Sequence, residues 1–241
     1  MRKESLPLAV ALFALVVLPF AINGVGLTLK TATDVVILSL ACLGLNILVG
    51  STGLVSFGHG AWFGLAAYAF ALSQRHWWPG TLLLPVLFAL LFIIVTAVAM
   101  GALILRRRGV YFSLLTLALT AMLWAVCYRW TEFTGGENGL GNVVRPHILA
   151  INLDDNWTYY WVVATVGFLV TAALWRFLRS PVGTVLVAIR ENEQRARFIG
   201  YPTNRYKLLG FVISACVVGI AGILSVMNLS LIHISEPTRP Y

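Results

Sequence analysis

The sequence is poor in charge: only 11% of its 241 residues are charged, and only nine of these are acidic. A soluble domain carries about 25% charged residues, so this composition excludes a soluble globular protein. Hydrophobic residues make up 59% of the chain and occur in long uncharged blocks. Blocks of about 20 such residues have the length that a helix needs to cross a bilayer. The composition therefore predicts an all-α fold, a polytopic transmembrane helical bundle.

Cysteine and histidine are scarce and scattered. Cys42, Cys127 and Cys216 lie singly inside apolar blocks, with no CxxC pair, which argues against a metal site. The four histidines do not cluster, so no nucleophile–base pair or metal-ligand set for an intramembrane enzyme is evident. The phosphate-binding loop GxxxxGK[ST] is also missing, which argues against ATP hydrolysis by this chain. We expect no catalytic residue, no cofactor and no metal ion in this chain.

The nine acidic residues lie outside the deep parts of the apolar blocks. A secondary transporter driven by an ion gradient would need carboxylates or charge relays near the membrane midplane. Asp34, at the start of the second apolar block, comes nearest, and a position at the membrane interface suits it better. The pattern argues against an ion-driven transporter, which is kept as an alternative.

The apolar blocks predict seven membrane-embedded segments. The first is a span and not a signal peptide, because Pro7 to Leu29 is longer than the apolar part of a signal peptide. The predicted segments are Leu6–Leu29, Val35–Val49, Leu54–Leu72, Thr81–Leu105, Val110–Trp130, Tyr159–Phe177 and Leu208–Leu229.

The position of the basic residues predicts the orientation of the chain. A net charge of +8 could indicate a nucleic-acid partner, but the basic residues lie at the ends of apolar blocks, which indicates a topology signal instead. With the N-terminus inside, twelve basic residues fall on the inner side and four fall outside, namely Lys30, Arg75, Arg129 and Arg145. We therefore expect a cytoplasmic N-terminus, contact with membrane lipid and no nucleic acid.

A glycine-rich stretch, GSTGLVSFGHGAWFG, interrupts the apolar pattern after the second block. It fits two interpretations: a short turn followed by a tightly packed helix with Gly60 and Gly64 at its interface, or an unwound element lining a pathway. His59 is a functional candidate because it is ionisable, although Ser56 or a loop carbonyl could satisfy it structurally. The candidate pathway or helix-break residues are Gly50, Gly53, Ser56, Gly58, His59, Gly60 and Gly64.

Two polar segments connect the later spans. The outer loop, about residues 131–158, contains TGGENGLG together with Asp154 and Asp155, and its composition favours a solvated connection over a docking site. On the inner side, Ser180 as N-cap, Pro181 at the first turn, Gly200 after the end and then Pro202 predict one helix from Pro181 to Ile199.

This inner helix is apolar on one face and polar in its second half, where Glu191 and Arg195, four residues apart, can pair. Such a helix could lie passively in the lipid headgroups or be gripped by a cytoplasmic partner.

Four motifs, in order, carry a family resemblance. They are LGLNILVGSTGLVSFGHGAWFGLAAYAFAL, RRRGVYFSLLTLALT, TGGENGLG and IRENEQRARFIGYPTNRYKLLGFVISACVVGIAGIL. From about Thr31 to Leu229 the chain resembles the LivM-type permease of branched-chain amino-acid ABC importers. Urea and short-chain amide ABC permeases share these motifs and are kept as an alternative.

The resemblance implies a non-enzymatic transport subunit in the bacterial inner membrane. It implies as partners a LivH-type sister permease, two cytoplasmic ATP-binding subunits that bind the ATP, and a periplasmic solute-binding protein. It also implies a coupling helix at about residues 181–200, with Glu191, Ala196 and Gly200 in the places of the family signature. The expected ATPase-coupling residues are Arg190, Glu191, Glu193, Arg195, Ala196 and Gly200.

The last twelve residues, SLIHISEPTRPY, depart from the resemblance, because LivM-type proteins continue with a further loop and more membrane helices. We expect a permease domain over residues 1–229, followed by an irregular, non-native tail over residues 230–241 of the kind that sequencing-adaptor read-through produces.

Overall fold

The computed structural model describes residues 6–107, 109–136, 140 and 153–235. For residues 133 and 230–235 it describes the backbone alone. The described chain forms helices and no strand, which confirms the all-α prediction. In chain order the helices are α1 (Leu6–Gly24), α2 (Leu29–Asn46), a π-helical turn (Ile47–Thr52), α3 (His59–His76), α4 (Leu83–Ile104), α5 (Val110–Arg129), α6 (Thr131–Thr134), α7 (Asn156–Leu178), α8 (Pro181–Glu191), α9 (Glu193–Phe198) and α10 (Thr203–Ser235).

Six helical segments in the described part of the chain are long and apolar enough to cross a membrane. They are Leu6–Gly24, Leu29–Thr52, Leu83–Ile104, Val110–Arg129, Asn156–Leu178 and Thr203–Leu229. The chain is therefore a multi-pass membrane protein. The third predicted segment, Leu54–Leu72, is not among these six: its helix, α3, starts only at His59 and ends in a polar turn at His76. α3 buries Trp62 and Phe70 among the other helices.

Helix α10 forms the centre of the bundle and packs against α2, α3 and α4. Small residues allow this packing: a Cβ atom at Gly222 would lie 2.2 Å from the Phe63 carbonyl oxygen, so the α3 and α10 backbones touch there. The predicted close helix approach through Gly60 and Gly64 is wrong, because a Cβ atom at either glycine meets nothing within 4 Å. The glycine that lets α3 approach closely lies on α10 instead.

Helix α7 begins at a side-chain cap after the predicted outer loop. The Asp155 carboxylate accepts hydrogen bonds from the Thr158 backbone N–H at 3.0 Å and the Thr158 hydroxyl at 2.9 Å. These bonds favour the ionised form and hold the pKa of Asp155 below its usual value. Residues 137–139 and 141–152 of the outer loop lie outside the described residues.

Helix α10 continues beyond the predicted end of the permease domain. The prediction of an irregular segment from Ser230 onward is wrong for residues 230–235, because the helix runs to Ser235. Each added residue of a formed helix gains one backbone hydrogen bond, and the first proline of the tail comes only at Pro237. Residues 236–241 of the predicted tail lie outside the described residues.

Candidate functional site

The polar segment between α7 and α10 folds into two short helices, α8 and α9. As predicted, Ser180 caps the start of α8, since its side chain accepts from the Gly183 N–H. The prediction of one continuous helix is wrong at Asn192, whose backbone is extended with φ −154° and ψ 96°. The Asn192 side chain accepts from the Arg195 N–H at 2.9 Å and so caps a new helix. We call residues 181–200 the α8–α9 unit and its side of the bundle the α8–α9 end.

Glu193 attaches α9 to the beginning of α10. Its carboxylate lies 2.5 Å from the Lys207 ammonium and 3.2 Å from the Arg197 guanidinium. The Lys207 side chain is only 4% exposed, so this ion pair offsets the cost of burying it. The predicted pairing of Glu191 with Arg195 on one helix face is wrong, because the break at Asn192 places them on different helices.

Arg190 attaches α8 to the π-helical turn that follows α2. Its guanidinium donates a hydrogen bond to the Gly50 carbonyl, one of the last carbonyls of a helix, which have no partner within the helix. The chain then leaves the turn at Gly53, which has φ +70°. A Cβ atom there would lie 2.8 Å from Arg190 Cγ, so Arg190 packs directly against the Gly53 backbone. Arg190 therefore holds the protein's own backbone.

Residues 53–58, which we call the glycine segment, are not helical and connect the π-helical turn to α3. Helix α5 satisfies their backbone: the Ser113 hydroxyl donates to the Val55 carbonyl at 2.6 Å, and Thr116 Oγ1 accepts from the Phe57 N–H at 3.1 Å. At Gly58 a Cβ atom would lie 2.6 Å from the Thr116 carbonyl oxygen, so the two backbones touch. Non-helical backbone in a membrane protein requires such partners. Of the predicted pathway or helix-break residues, Gly53, Ser56 and Gly58 lie in this non-helical segment, whereas His59, Gly60 and Gly64 lie within α3.

His59, at the start of α3, joins the glycine segment to the centre of the bundle. Its Nδ1 lies 2.9 Å from the Ser56 hydroxyl and its Nε2 lies 2.7 Å from the Ser214 hydroxyl. Ser214 donates its proton to the Gly44 carbonyl at 2.6 Å, so its oxygen accepts from Nε2–H and Nδ1 accepts from Ser56. Ser214 lies eleven residues into α10, about 16 Å along the helix. This bonding favours the neutral imidazole in a structural role.

The face of the α8–α9 unit that points away from the bundle is exposed and partly apolar. Phe198 is 90% exposed and Ile199 is 69% exposed. Glu191, Arg195 and Gly200 are exposed beside them, and Gly200 has φ +101°, as its predicted place after the helix requires. Ala196 points inward and is buried. The six predicted coupling residues therefore fall into two groups. Arg190, Glu193 and Ala196 attach the unit to the bundle, whereas Glu191, Arg195 and Gly200 form its outer surface.

Sequence reasoning missed the partners that hold the predicted residues. Lys207, Ser113, Thr116 and Ser214 are all buried and polar. The signal that could have found them is the occurrence of hydroxyl and charged residues within otherwise apolar blocks, where polar groups need protein partners. By contrast, Gly60 and Gly64 lie apart from the other predicted residues, on the face of α3 turned toward α5.

Comparison with known proteins identifies relatives of the chain. The family described as branched-chain amino acid transport system, permease component, matches residues 27–238. The chain is 30% identical over 248 residues to the high-affinity branched-chain amino acid transport system permease protein LivM of Escherichia coli (strain K12). It is 29% identical over 116 residues to the probable branched-chain amino acid transport permease protein LivM of Methanocaldococcus jannaschii. That alignment covers 47% of this chain and 33% of the other protein. No solved structure matches the chain.

The alignment with the Escherichia coli protein covers 92% of this chain but 57% of that protein. A LivM protein of Salmonella typhimurium gives the same shares, at 30% identity over 250 residues. The chain thus spans little more than half the length of these relatives.

Proposed function

The chain belongs to the family of branched-chain amino acid transport permease components, and on that premise we propose that it is a permease subunit of an ABC importer. The importer carries branched-chain amino acids or related small polar solutes across the bacterial inner membrane. A LivH-type sister permease, two cytoplasmic ATP-binding subunits and a periplasmic solute-binding protein complete it. In this proposal the partner subunits bind and hydrolyse ATP.

The observation that carries the proposal is the surface of the α8–α9 unit. An exposed pair of apolar side chains, Phe198 and Ile199, stands beside Glu191 and Arg195 on a unit that is itself firmly attached. Exposed aromatic residues flanked by charges favour a protein interface. We infer that the ATP-binding subunits grip this surface.

The attachments of the α8–α9 unit offer a route for its movement into the bundle. Arg190 passes a displacement of α8 to Gly50 and Gly53, and the glycine segment passes it to α5 through Ser113 and Thr116. The Lys207 pair keeps α9 and the start of α10 together during this movement. Rigid elements joined by specific hydrogen bonds can carry such a two-state change.

Substitutions on the α8–α9 unit test the coupling. In vesicles containing the assembled importer, Glu191→Lys and Gly200→Val should each lower ATP-dependent leucine uptake at least about tenfold, because interface hot spots contribute ~2 kcal/mol. The affinity of the solute-binding protein for leucine should not change. Gly26→Val is the matched control, since Gly26 also has positive φ and open space around it but lies between α1 and α2. Normal uptake in both coupling variants would remove the α8–α9 unit from the mechanism.

The orientation has its own test. We propose that the N-terminus and the α8–α9 end face the cytoplasm, because most basic residues flank the spans on that side. In a variant without native cysteines, single cysteines at Arg107 and Arg195 should resist an impermeant thiol reagent added to intact cells, whereas a cysteine at Asp154 should react. Labelling at Arg195 from outside would invert the topology and exclude contact with cytoplasmic ATPases.

A further inference from the structure

Helices α3 and α5 touch at the α8–α9 end and diverge beyond it. The four buried residues of α5 are Phe112, Ser113, Thr116 and Leu119, all in its first half. In its second half, Trp124 is 65% exposed and Tyr128 is 44% exposed. Helix α5 is therefore held at one end and leaves a gap along the other.

This gap is a cavity of about 400 Å³ between the two helices. Each helix contributes residues four apart, which lie on one face: Gly60, Gly64 and Tyr68 from α3, and Thr120, Trp124 and Tyr128 from α5. The two glycines leave the space open, because a Cβ atom at either one meets nothing within 4 Å. Trp124 and Tyr128 stack with ring centroids 5.1 Å apart and form a firm wall.

At the α8–α9 end the cavity is closed by the contact between Gly58 and Thr116. Their backbones approach so closely that no side chain fits at Gly58. Beside this contact lie two hydrogen bonds between the glycine segment and α5, one donated by the Ser113 hydroxyl and one accepted by Thr116 Oγ1. The closed end therefore belongs to the same segment that Arg190 attaches to α8, whereas the other end reaches Gly136, beyond the end of α5.

We propose that this cavity binds the transported solute, and that the contact between Gly58 and Thr116 is its closed gate. The solute is a small amino acid with no net charge and an aliphatic side chain. The proposal rests on the function proposed above and adds a location and a size limit to it.

The chemistry of the lining supports this class of solute. None of the lining residues in the described chain is charged, so a solute with net charge would find no partner there. Leu65 and Leu123 supply apolar surface, and the hydroxyls of Tyr68, Thr120 and Tyr128 supply a few polar contacts. Small-molecule sites combine apolar walls with a few polar groups in this way.

Filling the cavity tests the proposal in vesicles that contain the assembled importer. Gly64→Leu should lower initial leucine uptake at least about tenfold, because the added side chain occupies the space that the solute needs. Gly64→Ala should reduce leucine uptake more than alanine uptake. Gly24→Leu is the matched control, because Gly24 also has open space around it and lies at the end of α1, away from the cavity. Full leucine uptake by Gly64→Leu would overturn the proposal while leaving the importer function intact.

A binding measurement separates the cavity from the rest of the importer. Cys127 lines the cavity, whereas Cys42 is exposed on α2. In the purified full chain with Cys127 as its single cysteine, L-leucine should slow the reaction with N-ethylmaleimide at least about threefold, as expected when a ligand above its Kd shields the thiol. L-aspartate should not slow it, and neither amino acid should protect a chain with Cys42 alone. Equal reaction rates at Cys127 with and without leucine would contradict solute binding there.

The two readouts distinguish the possible failures. If the parent importer shows no ATP-dependent uptake but leucine protects Cys127, the proposed function is wrong and the binding site stands. If Gly64→Leu lowers the uptake of alanine and leucine equally and releases the sister permease during purification, the cavity holds a partner helix and the proposal is overturned.

Discussion

Helices α10 and α5 are both long and apolar, but the bundle holds them in different ways. Buried residues occur along α10 from Thr203 to Asn228, and Gly222 brings its backbone against α3. Helix α5 buries residues only from Phe112 to Leu119, and two of these four are hydroxyl residues that bind the glycine segment. One helix is packed along its length, and the other is tethered at one end.

The difference separates a structural helix from one that can move. Tight apolar packing along a whole helix has few alternative arrangements, because interiors resist small changes in volume. A helix tethered by a few hydrogen bonds can change its tilt when those bonds shift. We infer that α10 is the fixed reference of the bundle and that α5 is the wall that responds to the α8–α9 unit.

The largest effect is expected where α10 and α3 touch. A Cβ atom at Gly222 would lie 2.2 Å from the Phe63 carbonyl oxygen, which is backbone and cannot rotate away. Gly222→Leu should therefore lower the free energy of unfolding by about 3 kcal/mol or abolish folding. The measurement is the yield of monodisperse protein after detergent extraction, together with its Tm.

Gly64→Leu, on the face of α3 turned toward α5, is the matched control for Gly222→Leu. The same side chain is added to a helix, but nothing lies within 4 Å of its Cβ atom, so yield and Tm should match the parent. Equal losses from both substitutions would mean that α5 is as firmly packed as α10, and the comparison would fail.

A smaller effect is expected at the start of α10. Lys207→Met removes the closest partner of Glu193, which lies 2.5 Å away, and should cost about 3 kcal/mol or less, since Glu193 is only partly buried. The exposed Arg107, shortly before α5, is the control, and Arg107→Met should change stability by less than about 0.5 kcal/mol.

A double substitution sharpens this prediction. The double variant Glu193→Gln/Lys207→Met should lose less stability than the sum of the two single losses. Each single change leaves the other charge without this partner, whereas the double change removes both charges. Thermal unfolding in detergent gives the stability of the parent, the two single variants and the double variant. Strictly additive losses would show that the two charges do not stabilise each other.

Much of the fold could be predicted because long apolar blocks leave few options in a membrane. Local patterns predict the six segments that are long and apolar enough to cross a membrane, the caps at Ser180 and Gly200 and the break at the glycine stretch. The break at Asn192 does not follow from the sequence pattern, because the helical spacing of apolar residues continues across it and the Asn192 side chain alone caps α9. The predicted start of the third segment at Leu54 is wrong, because Leu54 and Val55 are apolar but belong to the non-helical glycine segment.

The candidate site could be predicted only in part, because its contacts join residues far apart in sequence. Arg190 bonds to Gly50 and His59 to Ser214, and no local pattern encodes either pairing. The resemblance places the six coupling residues on one helix, yet Glu193 points inward to Lys207 while Glu191 is exposed. Sequence spacing predicts which residues share a helix face, but tertiary packing decides which face is covered.

The smallest effect is expected at the tether of α5, where the comparison is most direct. Thr116→Val keeps the shape of the side chain but removes the acceptor for the Phe57 N–H, a bond worth about 1 kcal/mol. Hydrogen exchange at Phe57 should become about fivefold faster, while exchange in the buried part of α10 should not change. Thr165→Val on α7 is the control, because the Thr165 hydroxyl donates to the Trp161 carbonyl of its own helix. If Thr116→Val leaves Phe57 as protected as Thr165→Val does, α5 is not held by this bond, and the route from Arg190 to the cavity wall must run elsewhere.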